Sequence, residues 1–285
     1  MRVQDAPRLG VVAGQHIVAT VTLARGHPRA AERLWRGALQ LIDTRGHPRL
    51  AANCHAGLSR SATLAGRYDE AAARAWQGLD LLGAQPGRRG RRLLISALHN
   101  QAGVALRLGG RLEEAEAAYD EALDGLRRAG RLRSARAAAV YHNLGGLAFA
   151  QQRYADAERL ARHALRLNRR SLLPAPMRVA GDLGMLGAIV AAAGRLEEAE
   201  QLLREALAAF ERRLGSTHRE IALALGNLAE VRRMRGDDND ARMMAERALT
   251  IGQHALGQQH PELAPIVNTL SLASQASSYS AAGST

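Results

Sequence analysis

The sequence predicts an all-α fold, a right-handed α-solenoid of about six helical hairpins closed by a C-terminal capping helix. Two observations predict it. The hexapeptide Arg111–Glu116 recurs letter for letter at Arg195–Glu200, 84 residues later, and a looser copy stands 42 residues after each of them. The composition is rich in Ala, Leu, Arg, Gly and Glu, and only 3% of the residues are aromatic. Such a mixture favours helices, and a period of this length is typical of stacked helical units.

Each copy follows an apolar stretch with helical period and a turn that usually reads Gly-Arg. Small residues recur on both sides of the turn, where two helices approaching to about 8–10 Å would need them. On the first helix they are Gly103, Gly145, Gly187 and Ala229, and on the second Ala115, Ala157, Ala199 and Ala241. The turn glycines are Gly66, Gly110, Gly194 and Gly236, with Gln152 in the fourth hairpin. A turn glycine ends the first helix without steric cost.

The spacing of the copies sets the expected organisation. We expect a short N-terminal segment at 1–9, one repeat domain over 10–275 and a flexible tail at 276–285. The predicted hairpins are 10–42, 52–84, 96–126, 138–170, 180–212 and 222–254, with the capping helix at 263–274. The tail is small and polar, so it cannot bury enough apolar surface to become ordered.

The repeat resembles the tetratricopeptide repeat, in the 42-residue form typical of kinesin light chains and of many bacterial signalling proteins. The shared marks are the cores Asn143–Gly145 and Asn227–Ala229, the Gly-Arg-Leu-Glu-Glu-Ala-Glu turn, and His260–Ala264 with its counterpart His218–Ala222. The tryptophan often found early in the first helix of that family is absent from every copy. The first repeat is degenerate, as expected of a terminal unit with one neighbour.

The resemblance implies a non-catalytic scaffold or adaptor that binds a protein or peptide, in a concave groove lined by fixed positions of the first helices. The residues that this carries over are Asn53, Arg60, Asn100, Val104, Arg107, His142, Asn143, Gly146, Phe149, Ala188, Asn227, Glu230, Arg233 and Met234. Amides such as Asn100 and Asn143 offer a donor and an acceptor to a peptide backbone. The alternative, that Asn143 and Asn227 tie neighbouring helices together, stays open. His142 is expected to be a packing residue.

The charge indicates an acidic partner or a solvated basic surface. All 39 basic residues are arginine against 27 acidic residues, a formal charge of +12. Arginine binds carboxylate and phosphate bidentately. Alternatively, a GC-rich genome encodes arginine wherever a basic surface residue is needed. The loops between hairpins form a predicted basic rim of Arg88, Arg89, Arg91, Arg92, Arg127, Arg128, Arg131, Arg133, Arg169 and Arg170.

The rim supports an alternative function, an anion- or nucleic-acid-binding regulator. Phosphate backbones are attracted to such stripes. Nucleic acid is the less favoured ligand, because no aromatic residues interleave with the arginines for base stacking. The two-carboxylate clamp of chaperone-binding relatives needs lysines, and this sequence has none.

Nothing in the sequence predicts catalysis, a cofactor or a metal. The ten histidines show no metal-ligand spacing, and no Gly-rich loop follows a strand. Cys54, the only cysteine, is expected to be a buried structural thiol. The single thiol and the lack of an apolar run of about 20 residues predict a cytoplasmic protein with no membrane contact. We expect a role in bacterial regulation or signalling, including as a sensor whose effector lies on another chain. The sequence leaves self-association open.

Overall fold

The computed structural model describes residues 6–83, 89–171 and 175–282, with side chains at residues 9–83, 90–171 and 175–276. Every regular element within these ranges is helical, and none of them contains a strand. The predicted all-α fold is confirmed.

Thirteen α-helices lie in the described residues, as six hairpins and one final helix. The hairpins are α1 (Ala6–Ala24) with α2 (Pro28–Leu41), α3 (Pro48–Leu64) with α4 (Tyr68–Leu82), α5 (Arg89–Leu108) with α6 (Leu112–Arg128), α7 (Ala135–Ala150) with α8 (Tyr154–Arg169), α9 (Pro176–Ala192) with α10 (Leu196–Leu214), and α11 (Arg219–Met234) with α12 (Asp238–Leu256). A 3-10 turn at Pro261–Leu263 precedes α13 (Ala264–Ala282). The odd-numbered helices of the hairpins are called first helices below, and the even-numbered ones second helices.

Every first helix begins three to seven residues before its predicted start. Pro48 and Pro176 stand in the first turns of α3 and α9, where a fixed φ suits the helix and a missing N–H leaves nothing unpaired. The Nδ1 atom of His218 accepts a hydrogen bond from the backbone N–H two residues later, at 3.2 Å. His260 does the same at 3.3 Å. These two histidines cap helix N-termini, a role that the sequence motif alone does not reveal.

The final helix is longer than predicted. It ends at Ala282, eight residues beyond the expected end at 274. Residues 276–282 contain three alanines and neither glycine nor proline, so nothing in them interrupts a helix. The rest of the predicted tail, residues 283–285, and residues 1–5 of the predicted N-terminal segment lie outside the described residues.

Contacts group the chain into two compact units, Met1–Asn143 and Leu144–Thr285. In the first unit, Trp35 is fully buried in a cluster with Val12 and Leu58. In the second, Leu186 and Leu203 are fully buried in a larger cluster. Each unit therefore has its own apolar core between its helices.

The small residues of the repeat lie where the two helices of a hairpin meet. A Cβ on Gly103 would stand 2.6 Å from the Tyr119 ring. A Cβ on Gly145 would stand 3.4 Å from the carbonyl oxygen of Ala157. The alanines predicted for the second helices, namely Ala115, Ala157, Ala199 and Ala241, are all fully buried. The steric reason proposed for the repeat is therefore confirmed.

The turns within hairpins have the left-handed conformation that glycine adopts at low cost. Gly110 has φ +81°, and the next residue, Arg111, donates its N–H to the carbonyl of Leu106 at 2.9 Å. This bond closes a Schellman-type end to the helix. Gln152 takes the glycine position of the fourth hairpin at φ +59°. The turn geometry therefore persists where the sequence departs from glycine.

The arginine that follows the turn glycine pairs with a glutamate of the preceding hairpin. Arg67 contacts Glu32 at 2.6 Å, and Glu32 is only 8% exposed. Arg195 contacts Glu158 in the same way. Glu200 is contacted by Arg232 and by Arg235, the residue that precedes the next turn glycine. Many arginines that looked like surface charge therefore bind one second helix to the next.

Replacing Gly187 by alanine should lower the free energy of unfolding by about 1–3 kcal/mol, the usual cost of overpacking. Its Cβ would lie 2.7 Å from Cγ of Leu203 and 3.3 Å from the carbonyl of Ala199. Gly181 of the same helix has no such neighbour within 4 Å. Gly181→Ala should therefore raise stability by up to about 1 kcal/mol through helix propensity. Urea unfolding followed by circular dichroism measures both, and equal effects would contradict close helix packing at Gly187.

Candidate functional site

A cleft of about 300 Å³ lies in the first unit, between side chains of four successive first helices. Its lining consists of His16, Arg49, Asn53, Ala56, Arg60, Gly90, Leu93, Leu94, Ala97, Gln101 and Arg136. One face each of α3 and α5 supplies most of it, because these positions recur every three or four residues. The predicted groove residues Asn53 and Arg60 both lie here.

The cleft has an apolar floor and basic walls. The apolar part of the lining, called the floor below, includes Ala56 of α3 and Leu94 and Ala97 of α5. The walls carry three exposed arginines, Arg49, Arg60 and Arg136, and the lining includes neither Asp nor Glu. Such a surface favours ligands that combine apolar contact with negative charge.

A buried tryptophan supports one wall. Trp35 donates its Nε1–H to Nδ1 of His16 at 3.2 Å, which leaves the proton of the neutral imidazole on Nε2. The guanidinium of Arg60 lies 5.9 Å from the centre of the Trp35 ring, within the range of a cation–π contact. A Cβ on Gly57 would stand 2.2 Å from the same ring, so only glycine leaves room for it.

Burial and charge set the protonation of this wall. Desolvation by burial, followed by the nearby charge of Arg60, lowers the pKa of His16 from its ordinary value of 6.5. Arg60 is solvent-exposed by area, yet the surrounding cleft desolvates it and lowers the pKa of its guanidinium. An arginine remains charged at neutral pH even so. At pH 7 the wall therefore presents a neutral imidazole beside a cation.

Two of the predicted groove asparagines, Asn100 and Asn143, contact each other. Asn143 donates an Nδ2 hydrogen to Oδ1 of Asn100 at 2.9 Å, so these two amides tie α7 to α5. Each amide keeps further hydrogen-bonding capacity. Val104, Arg107 and His142 are half-buried and do not line the cleft.

The predicted groove residues of the second unit do not form a matching basic surface. Glu230 accepts two hydrogen bonds from Arg233, at 2.7 and 2.9 Å, and one from Thr269. Burial alone would raise the pKa of Glu230, but the bonds from Arg233 and Thr269 outweigh it and lower the pKa. The predicted ligand-binding charge of Arg233 is therefore already neutralised by Glu230.

The other predicted residues of this unit differ in exposure. Gly146 is buried, Ala188 and Asn227 are half-buried, and Met234 is 39% exposed. The half-buried Phe149 packs against Tyr154, with 5.8 Å between ring centres. No distance in the structure brings these residues together as a site.

Part of the predicted basic rim is bound within the protein itself. Arg127 and Arg128 both contact Asp124, at 3.3 and 2.6 Å. Arg92 donates to the backbone carbonyl of Arg128 at 3.2 Å. Arg91 donates to the carbonyl of Gly83 at 3.1 Å. In the first unit, four of the predicted rim residues therefore have partners within the chain.

The remaining rim residues are mixed. Arg169 lies 3.6 Å from Glu205. Arg131, Arg133 and Arg170 are exposed, and none of them has an ion pair within the described residues. Arg88 lies outside the described residues, as does the side chain of Arg89.

Sequence reasoning missed nine of the eleven cleft residues, including the four polar ones, His16, Arg49, Gln101 and Arg136. Arg49 and Arg136 precede the predicted helix starts at 52 and 138, so the predicted hairpins do not include them. His16 belongs to the degenerate first repeat, where no family position could be assigned. Pro48, which marks the start of α3, is the signal that would have brought Arg49 onto the helix.

Three further observations concern metals, the single thiol and membranes. No group of three His, Cys, Asp or Glu side chains that could hold a metal occurs among the described residues. Cys54 is buried, and burial raises the pKa of its thiol to about 11. It is therefore protonated at neutral pH. Since the thiolate is the reactive form, this agrees with the buried structural thiol that the sequence predicts. None of the helices that the structure describes is long and apolar enough to span a membrane.

The comparisons with known proteins agree with the helical repeats. A tetratricopeptide repeat family model matches residues 93–170 and 182–276, together more than half of the chain. None of the curated proteins matches the sequence.

Solved structures share the fold at low identity. A kinesin-light-chain-like protein of Podosopora anserina with nearly identical TPR-like repeats has a TM-score of 0.52 and 19% identity, over 73% of this chain and 97% of that one. NprR in complex with its cognate peptide NprX has a TM-score of 0.68 and 12% identity, over 90% and 71%. A Rap protein complexed with Competence and Sporulation Factor has a TM-score of 0.63 and 12% identity, over 92% and 85%.

The half-buried histidines of the first unit should make stability depend on pH. Burial lowers the pKa of His16, His55 and His99 below 6.5, so the unfolded chain binds protons at a higher pH than the folded chain. The free energy of unfolding should therefore fall as pH decreases from 7.5 to 5. His16→Gln, which keeps an acceptor for Trp35, should flatten this decline. Urea unfolding at several pH values measures both slopes, and identical slopes would contradict the neutral His16.

Proposed function

This chain belongs to the tetratricopeptide repeat family, and we propose that it is a non-catalytic scaffold that binds a peptide or a helix of a partner protein. We place the bound segment in the cleft of the first unit and the biological role in bacterial regulation or signalling. The partner is a protein, not a small-molecule substrate.

The observation that carries this proposal is the cleft between α1, α3, α5 and α7. Its floor of Ala56, Leu94 and Ala97 is apolar and formed of small or aliphatic side chains. A main chain can approach such a floor closely, while Asn53 and Gln101 offer amide groups at the walls. Peptide recognition commonly combines apolar contact with such hydrogen bonds.

Two structural neighbours support a peptide ligand. NprR was solved with its cognate peptide NprX, and a Rap protein with Competence and Sporulation Factor. Both alignments cover at least 90% of this chain. Because identity is 12% in each, the similarity concerns the fold, and the two ligands only suggest that this chain binds a peptide. The contacts with that peptide are argued from this chain's own residues.

The lining does not favour catalysis. It includes no Ser, Thr, Cys, Asp or Glu that could act as a nucleophile beside a base. The neutral His16 is held by Trp35, so its Nδ1 is already occupied. A cytoplasmic location is part of the proposal, in keeping with the free thiol of Cys54.

The rim is the weaker candidate surface. Its pairing with Asp124 and Glu205 reduces the charge that it can offer to a phosphate backbone. Only Arg131, Arg133 and Arg170 remain as exposed arginines without an ion pair in the described part of the rim. An anion-binding regulator therefore stays the second proposal.

Filling the cleft should abolish peptide binding. Ala97→Trp places a large ring on the floor without changing charge, and Ala117→Trp is its matched control on the exposed surface of α6. A displayed library of random ten-residue peptides should be enriched on the wild-type protein and on Ala117→Trp. Affinities of the selected peptides should fall at least about tenfold with Ala97→Trp, as expected for loss of a buried contact. Absence of any enrichment on the wild-type protein would contradict the proposed function.

A further inference from the structure

Three cationic side chains converge on the cleft from two helices. Arg49 and Arg60 come from α3, and Arg136 comes from α7. Arg49 and Arg60 are eleven residues apart, which is about 16 Å along the helix axis. An extended peptide covers that distance in about five residues, at roughly 3.3 Å per residue. Two ends of one short peptide can therefore meet two of these arginines.

These arginines differ from those of the second helices in having no acidic partner. No ion pair involves Arg49, Arg60 or Arg136 within the described residues. In the same unit, Arg36 and Arg67 each contact two glutamates. Arginines between these hairpins are thus paired with glutamates, whereas the three arginines of the cleft have no acidic partner. A ligand that brings carboxylates would supply the counter-charge that these arginines lack within the described residues.

Two of the three arginines are held by their surroundings. Arg60 lies over the Trp35 ring. A Cβ on Gly90 would lie 2.9 Å from the Nη2 atom of Arg49, so the guanidinium packs against the backbone of α5. Arginine side chains that are already held in place lose less conformational freedom on binding. The cleft is therefore prepared for anionic groups before a ligand arrives.

The rest of the lining selects a peptide over a nucleic acid. Proteins that bind single-stranded nucleic acid stack the bases on aromatic rings, but the lining includes no Phe, Tyr or Trp. Trp35 itself is fully buried beneath the wall. The apolar floor instead suits small aliphatic side chains between the acidic ones.

We propose that the cleft binds an extended acidic segment of a partner protein, in which side-chain carboxylates about five residues apart contact Arg49 and Arg60, and a further one contacts Arg136. This inference rests on the proposed peptide-binding function and names the chemistry of its ligand. The carboxylates belong to Asp or Glu side chains within the segment.

The test is a selection from random ten-residue peptides displayed between fixed Gly-Ser linkers, so that no free C-terminal carboxylate is present. Peptides enriched on the wild-type protein should be rich in Asp and Glu, with acidic pairs four to six positions apart, about the spacing given by the geometry of α3. One selected peptide is then synthesised with a fluorescent label, and its affinity is measured by anisotropy.

Matched variants separate the cleft from net charge. Arg49→Gln, Arg60→Gln and Arg136→Gln together remove three positive charges, and so do Arg25→Gln, Arg29→Gln and Arg33→Gln on the exposed surface of the first unit. The cleft variant should bind the peptide at least about tenfold more weakly, and the control within about twofold, since charge-assisted hydrogen bonds are lost only in the first. The double variant of Arg49 and Arg136 leaves Trp35 and Arg60 in contact and should still weaken binding.

The outcomes are distinct. If the wild-type protein enriches no peptide, the proposed function fails and this inference with it. If it enriches neutral or basic peptides, the function stands and the inference is wrong. Equal losses in the cleft and control variants would show a net-charge effect and overturn the inference. Displacement of the labelled peptide by a single-stranded oligonucleotide would also overturn it.

Discussion

The close approach of paired helices at glycine and alanine governs the arrangement of every other element. A hairpin can bury its apolar face only if its two helices come near each other, and a Cβ at Gly103 or Gly187 would collide with the partner helix. The buried alanines of the second helices lie at the same contacts. Leucines such as Leu186 and Leu203 then fill the core around them. This contact recurs in the third, fourth and fifth hairpins, at Gly103, Gly145 and Gly187.

Charge is divided between two tasks. Arginines that follow the turn glycines contact glutamates of the preceding hairpin, as Arg67 does with Glu32, and so connect second helices. Individual exposed pairs of this kind contribute little to stability, but Glu32 and Glu200 are nearly buried and each receives more than one arginine. Arginines of the first helices in the cleft have no such partners. Part of the net charge of +12 is therefore unpaired in the cleft, and a further part is unpaired at Arg131, Arg133 and Arg170 of the rim.

The repeat predicted most of the fold, because its signals are local. The Gly-Arg turn and the alanines four residues later fix where a hairpin turns and where its helices touch, as Gly110 and Ala115 do in the third hairpin. Helix starts were predicted less well, because Pro48 and His218 act at positions before the periodic apolar pattern begins. The extension of α13 was missed because alanine and serine composition was taken as a sign of disorder.

The candidate site was predicted only in part, for a physical reason. Asn53 and Arg60 could be placed from family positions, whereas Arg49 and Arg136 lie outside them. The pairing of Glu230 with Arg233 follows from helical spacing and could have been seen in the sequence. The pairing of Arg195 with Glu158, 37 residues away, depends on how successive hairpins stack. Which arginines remain free is therefore a tertiary property, and the sequence alone does not separate the cleft from the rim.

The central claim is that the ligand lies against the first helices of the first unit. Photo-crosslinking tests it most directly, with a selected peptide that carries one photoreactive residue at its centre and with adducts mapped by mass spectrometry. The account predicts adducts on α3 and α5 near Ala56, Leu94 and Ala97. Adducts confined to second helices, or to the exposed arginines of the rim such as Arg131 and Arg133, would contradict it.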